Sequence, residues 1–119
     1  MNSRRILLCE VTHRFPNVPP ANKCHRLHGH SFKVSITVGG EVDPQLGWLI
    51  DDEGIKSAFQ SLMDGYLDHY YLNEIDGLSN PTSENIAKWI WDQLKSRLSG
   101  LKSVSVFETC TSACHYEGK

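Results

Sequence analysis

No apolar run in the sequence approaches the roughly 18 residues that a membrane-spanning helix requires. No surplus of one charge marks a surface for nucleic acid: 12 Lys and Arg stand against 14 Asp and Glu, a formal net charge of -2. No secretory leader is expected at the N-terminus, because the apolar trio after Arg4-Arg5 is too short and Glu10 ends it. Cysteine is sparse, with only four, Cys9, Cys24, Cys110 and Cys114. Without a secretory signal they are expected to be reduced thiols of a cytoplasmic protein. Low-complexity tracts, short-period repeats and internal linkers are absent. What remains, 39% apolar and 22% charged residues over 119 positions, is an ordinary globular chain long enough for one modest core, a single domain over 1–119.

Hydrophobic patterning gives the order of elements. Arg4 to His13 reads as a strand rich in Ile, Leu and Val. Pro16, Pro19 and Pro20 make the stretch from Arg14 to Lys23 a loop, since proline cannot donate to a sheet ladder. From Ser31 to Val38 the residues Phe32, Val34, Ile36 and Val38 alternate with polar neighbours, the clearest period of two in the chain. Asp51 suits a helix N-cap, and Ile55, Ala58, Phe59, Leu62 and Met63 form a helical stripe reaching toward Tyr66. Leu67 to Asn73 shows no period. Thr82 or Ser83 caps a second helix, whose stripe Ile86, Ile90, Leu94 and Leu98, widened by Ala87 and Trp91, is expected to end at Gly100. Val104, Val106 and Glu108 share one face of a further strand, Thr109 to Thr111 read as a turn or bulge, and Ala113 to Tyr116 as a last short strand. The fold class is therefore α+β: an antiparallel four-stranded sheet with two helices on one face, ordered ββααββ. Such a sheet has two unpaired edges, which makes self-association plausible.

The chemistry gathers at Cys24-His25-Arg26-Leu27-His28-Gly29-His30. In an extended chain His28 and His30 leave the same face about 6.5 Å apart, near enough to converge on one ion. Their parity with Phe32 places them on the apolar face, and His13, at the end of the neighbouring strand, is a third imidazole. Three histidines without a fourth protein ligand leave a position open for water or substrate, the pattern of a catalytic zinc. Cys24 is open to three readings: a fourth ligand closing a structural zinc site, a base or nucleophile beside an open metal, or a buried inert thiol. Asp68-His69 is an acid–base dipeptide suited to exchange a proton with a cysteine base. Glu108, a carboxylate in parity with Val104 and Val106, needs a partner, and two adjacent N–H donors of a ligand would satisfy it in bidentate fashion. His25, His115, Cys9, Cys110 and Cys114 match no strong metal pattern. Arg14, Lys23 and Arg26 could meet an anionic substrate or only water.

His13-Arg14, Cys24-x-x-x-His28-Gly29-His30, Leu67-Asp68-His69, Asn80-Pro81-Thr82-Ser83-Glu84-Asn85 and Glu108-Thr109 together resemble the 6-pyruvoyl-tetrahydropterin synthase family, in order and over nearly the whole chain. The three residues between Cys24 and His28, with Gly47 to Asp51 and Ala87 to Gln93, resemble its bacterial branch, which forms 6-carboxytetrahydropterin in queuosine biosynthesis. The resemblance implies the tunnelling fold, in which trimers close their sheets into a barrel and stack in pairs, with active sites at subunit contacts. It implies Zn2+ held by His13, His28 and His30. Cys24 would be the proton acceptor, Asp68 and His69 its relay from a neighbouring subunit, and Glu108 the anchor of the pterin, with Thr82 and Ser83 also on the substrate. It implies a pterin triphosphate, 7,8-dihydroneopterin triphosphate, as substrate. The products would be 6-carboxy-5,6,7,8-tetrahydropterin, acetaldehyde and triphosphate. Triphosphate elimination to a pyruvoyl product and a non-catalytic structural zinc module are the rival readings.

Overall fold

A computed structural model describes residues 1–13, 16–21, 28–48, 52–62, 64, 71–109 and 112–118, with Cys9, Val11, Thr12, His28, His30, Asp52 and Thr109 described by their backbone alone. Strands β1 (Asn2–His13) and β2 (His28–Gly39) are followed by helix α1 (Asp52–Leu62), a single 3-10 turn (Leu72–Glu74) and helix α2 (Ser83–Leu94). Strands β3 (Leu101–Thr109) and β4 (Ser112–Tyr116) complete the chain. The strands form one sheet in the order β1-β2-β3-β4, every neighbouring pair antiparallel, so β1 and β4 are its edges. The ββααββ order read from the sequence is the one observed.

The central strand follows its alternation. Phe32, Val34, Ile36 and Val38 of β2 are buried with Val104 and Val106 of β3, beneath Ile55, Phe59 and Leu62 of α1 and Ile86, Ile90 and Leu94 of α2. Both helices thus cover one face, α1 toward β1 and α2 over β3 and β4. The opposite face carries Ile6 and Leu8, 48% and 67% exposed. Ser35 shares that outer face, yet it is buried, because its small side chain sits in the ladder between Ile6 and Ser105.

Two expectations about α2 are corrected. The helix ends at Leu94, short of Leu98. Arg97 and Leu98 both donate their amides to the Leu94 carbonyl, and this turn keeps Leu98 in the core outside the helix. Gly100 is consequently no helix terminator. It lies where Gly39 N–H donates to its carbonyl at 2.7 Å, and a Cβ there would collide with the Gly39 carbonyl oxygen. Of the two cap candidates Thr82 is the N-cap, its hydroxyl accepting from Asn85 N. The proposed cap Asp51 and the extension of α1 through Met63 to Tyr66 lie outside the described residues.

Candidate active site

β1 ends and β2 begins at the same end of the sheet, and ladder register decides what collects there. His13 is directly opposite His28, and Val11 is opposite His30. Directly paired residues have Cα atoms about 4.5 to 5.5 Å apart, and alternate residues of one strand about 6.5 Å. The backbones of His13, His28 and His30 therefore share one register face, that of Phe32, within the span that imidazoles need to meet at one centre. Glu108 belongs to the same end: Lys33 pairs with Phe107, and both chains continue from there toward His30 and Glu108.

His13 is completely buried, its ring edge against Phe32 at a centroid distance of 5.3 Å. Its Nδ1 lies 3.2 Å from the carbonyl oxygen of Pro81 in the turn before α2. A carbonyl only accepts, so Nδ1 must carry the proton, and in the neutral ring Nε2 keeps its lone pair. This is the arrangement of a metal-bound imidazole, where the second nitrogen donates to a carbonyl or carboxylate and fixes the ring. The donor chemistry of His13 thus fits a divalent transition metal. Among the described side chains no group of three His, Cys, Asp or Glu is gathered that could hold an ion. The side chains of His28 and His30 lie outside the described residues, as do Cys24, Asp68 and His69.

The N-terminus of α2 borders this end through Pro81. Ser83 is buried on the sheet-facing side of the helix, and its hydroxyl has no hydrogen-bond partner among the described residues. Glu108 is half-buried at a β-bulge: the β3–β4 register shifts between Phe107 and Thr109, leaving it without an opposite residue. A bulge re-aims a side chain, here on the carboxylate expected to grip a ligand.

One pair escaped the sequence reading. Cys114 of β4 donates its thiol to Glu84 Oε1 at 3.0 Å, beside a cavity of about 180 Å³ between α2 and β4 lined in part by Lys88 and Tyr116. Burial, the Glu84 carboxylate and then the charge of Glu108 push the Cys114 thiol up to about 11. The thiol, with the helix's own amide, holds Glu84 below the usual carboxylate range. A thiol so raised is neutral and unreactive near pH 7, which agrees with leaving Cys114 outside the chemistry. Parity with Tyr116 in β4 signals the covered face for Cys114 but does not point to Glu84 as its partner.

Comparison with known proteins follows the same outline. Residues 8–119 match the family described as 6-pyruvoyl tetrahydropterin synthase. The chain is 42% identical over 112 residues to a 6-carboxy-5,6,7,8-tetrahydropterin synthase of Synechocystis, covering 90% of this chain and 85% of that protein. It is 36% identical over 111 residues to the protein of the same name from Bacillus subtilis, covering 83% and 73%. The fold superposes on the 6-pyruvoyl tetrahydropterin synthase of Caenorhabditis elegans with a TM-score of 0.90, at 27% identity, over 100% of this chain and 96% of that one.

Proposed function

The chain belongs to the 6-pyruvoyl tetrahydropterin synthase family of enzymes, whose substrates are small pterins, and from that premise we propose a zinc-dependent 6-carboxy-5,6,7,8-tetrahydropterin synthase of queuosine biosynthesis. The overall reaction takes 7,8-dihydroneopterin triphosphate and water to 6-carboxy-5,6,7,8-tetrahydropterin, acetaldehyde and triphosphate. The observation that carries the reading is the β1–β2 register, which puts His13, His28 and His30 on one face with His13 buried and its Nδ1 held by Pro81.

In this reading His13, His28 and His30 hold Zn2+, which when bound supplies Lewis acidity toward the side-chain hydroxyls of the substrate. Glu108 accepts from two adjacent N–H groups of the pterin and sets its orientation. Cys24 removes a proton from the substrate side chain, and Asp68 and His69 return and relay protons in later steps. Thr82, whose hydroxyl accepts from Asn85 N, and Ser83 beside it are the substrate contacts at the start of α2. No external oxidant is required, because loss of triphosphate and tautomerisation move electrons within the substrate. The active unit is a trimer or pair of trimers of the single domain 1–119, with sites at subunit contacts, in the cytoplasm. No described helix is long and apolar enough to cross a membrane.

The test is product identification by mass after incubating the zinc-loaded protein with 7,8-dihydroneopterin triphosphate. Expected are 6-carboxytetrahydropterin and an equivalent of acetaldehyde. A pyruvoyl product without acetaldehyde overturns the carboxy assignment, and the absence of any turnover overturns the enzyme reading in favour of a structural zinc module.

A further inference from the structure

We infer that Asn85, in the first turn of α2, is a positioning residue that sets the tautomer of His13 from across the fold. The inference rests on His13 being a metal ligand, as proposed above, and its own geometry lies in the turn at residues 80–82.

The peptide unit joining Pro81 to Thr82 has two ends. Its carbonyl accepts from His13 Nδ1 at 3.2 Å, and its N–H donates to the Asn80 carbonyl at 3.0 Å. A trans peptide is planar, with N–H and C=O pointing opposite ways. Whatever holds the N–H on Asn80 therefore aims the carbonyl at the histidine. A hydrogen bond spanning only three residues is a γ-turn, compatible with the fixed φ of proline but weak by itself. Asn85 supplies the missing rigidity from two sides. Its side-chain Nδ2 donates to the same Asn80 carbonyl at 2.8 Å, and its backbone N–H donates to Thr82 Oγ1 at 3.2 Å. The turn is thus clamped at both ends by one residue, and the buried Pro81 between them has little freedom to rotate its carbonyl. The consequence reaches a ring 72 positions away in sequence: with the carbonyl fixed, His13 keeps its proton on Nδ1 and presents Nε2.

Asn85→Asp isolates this role. The carboxylate is nearly isosteric and suits a helix N-terminus, so α2 is not weakened by the change. It cannot donate to Asn80. The expected result, in metal-free protein with ¹⁵N-labelled histidine, is that His13 moves from a single Nδ1–H tautomer to a mixture. Zinc affinity, read by competition with a chromogenic chelator, is expected to fall about 10- to 100-fold, the range for losing an outer-shell partner. Asn85→Gln, which restores a donor, should recover most of both. Lys88→Gly, on the exposed side of the same helix, should lower the melting temperature and leave tautomer and affinity alone. An unchanged His13 tautomer in Asn85→Asp overturns the inference, as does zinc affinity equal to wild type or an equal loss in Lys88→Gly. Failure of the wild-type protein to bind zinc while the tautomer still responds to Asn85→Asp overturns the metal reading and upholds the clamp.

Discussion

At the scale of single residues the proposed chemistry separates those that hold an ion from the one that removes a proton. His13 belongs to the first kind, since burial and the Pro81 carbonyl fix both its ring and its tautomer. Cys24 is assigned to the second. The two roles predict different losses. Cys24→Ala is expected to keep one zinc per chain by atomic absorption while turnover falls about 10²- to 10⁴-fold, the span of a lost general base. His13→Ala should lose zinc and turnover together. If zinc leaves with the thiol, Cys24 is a fourth ligand and the site is structural. The shared face of the histidines was legible in the sequence because a strand's period of two converts His-Gly-His into two residues on one face. The sequence did not reveal Pro81 as a partner of His13, because a backbone carbonyl 68 residues away leaves no mark on residue identity.

At the scale of elements, what was legible depended on how much of a face each element buries. β2 is central and covered on one side, so its alternation is uninterrupted and its face was correctly read. The end of α2 was misread because Leu98 keeps the four-residue period while leaving the helix through a turn, and burial responds to position rather than to helicity. The 3-10 turn at Leu72–Glu74 is too short to show a period at all. The Cys114–Glu84 contact joins residues 30 apart on α2 and β4, and neither periodicity nor spacing registers it. It carries a pH dependence that can be measured. The thiol's value is raised from the ordinary 9.0 to about 11, so the stability it contributes is whole below pH 9 and is lost as pH rises through 11. Glu84 is displaced the other way: its contribution is whole above the ordinary 4.5 and is lost as pH falls through its lowered value. Thermal melts from pH 8 to 11 should therefore decline more steeply in wild type than in Cys114→Ala. The Cys114 thiol should also react slowly with a disulfide reagent at pH 8, where only about one in a thousand is ionised. Equal slopes in the two proteins would show that the contact does not tie β4 to α2 in solution.

The whole molecule is more elongated than a compact domain of its length, with extents of 57 × 25 × 23 Å. Its radius of gyration is 15.3 Å, against about 13.5 Å expected for a compact chain of this size. Among the described residues strands β1 and β4 have no outer partner, and β1 holds Ile6 and Leu8 on the face that no described helix covers. Long apolar edge strands invite pairing with another chain, and pairing β1 of one copy with β4 of the next would continue the same sheet. Light scattering on the zinc-loaded protein is then expected to give three or six times the 13.5 kDa chain mass. Replacing both Ile6 and Leu8 with lysine probes what the assembly contributes. Exposed substitutions of this kind change the stability of a lone protomer by about 0.5 kcal/mol or less, so folding should persist while the assembly falls apart. The consequence for function depends on where the site's parts come from. His13, His28 and His30 sit on one hairpin of one chain, so the separated protomer should still bind zinc. If Asp68 and His69 serve a neighbour's Cys24, that zinc-bound protomer should not turn over, and activity should return only on reassembly. A variant that is monomeric and still fully active would place every working residue within a single chain, and the edge strands would then need another explanation.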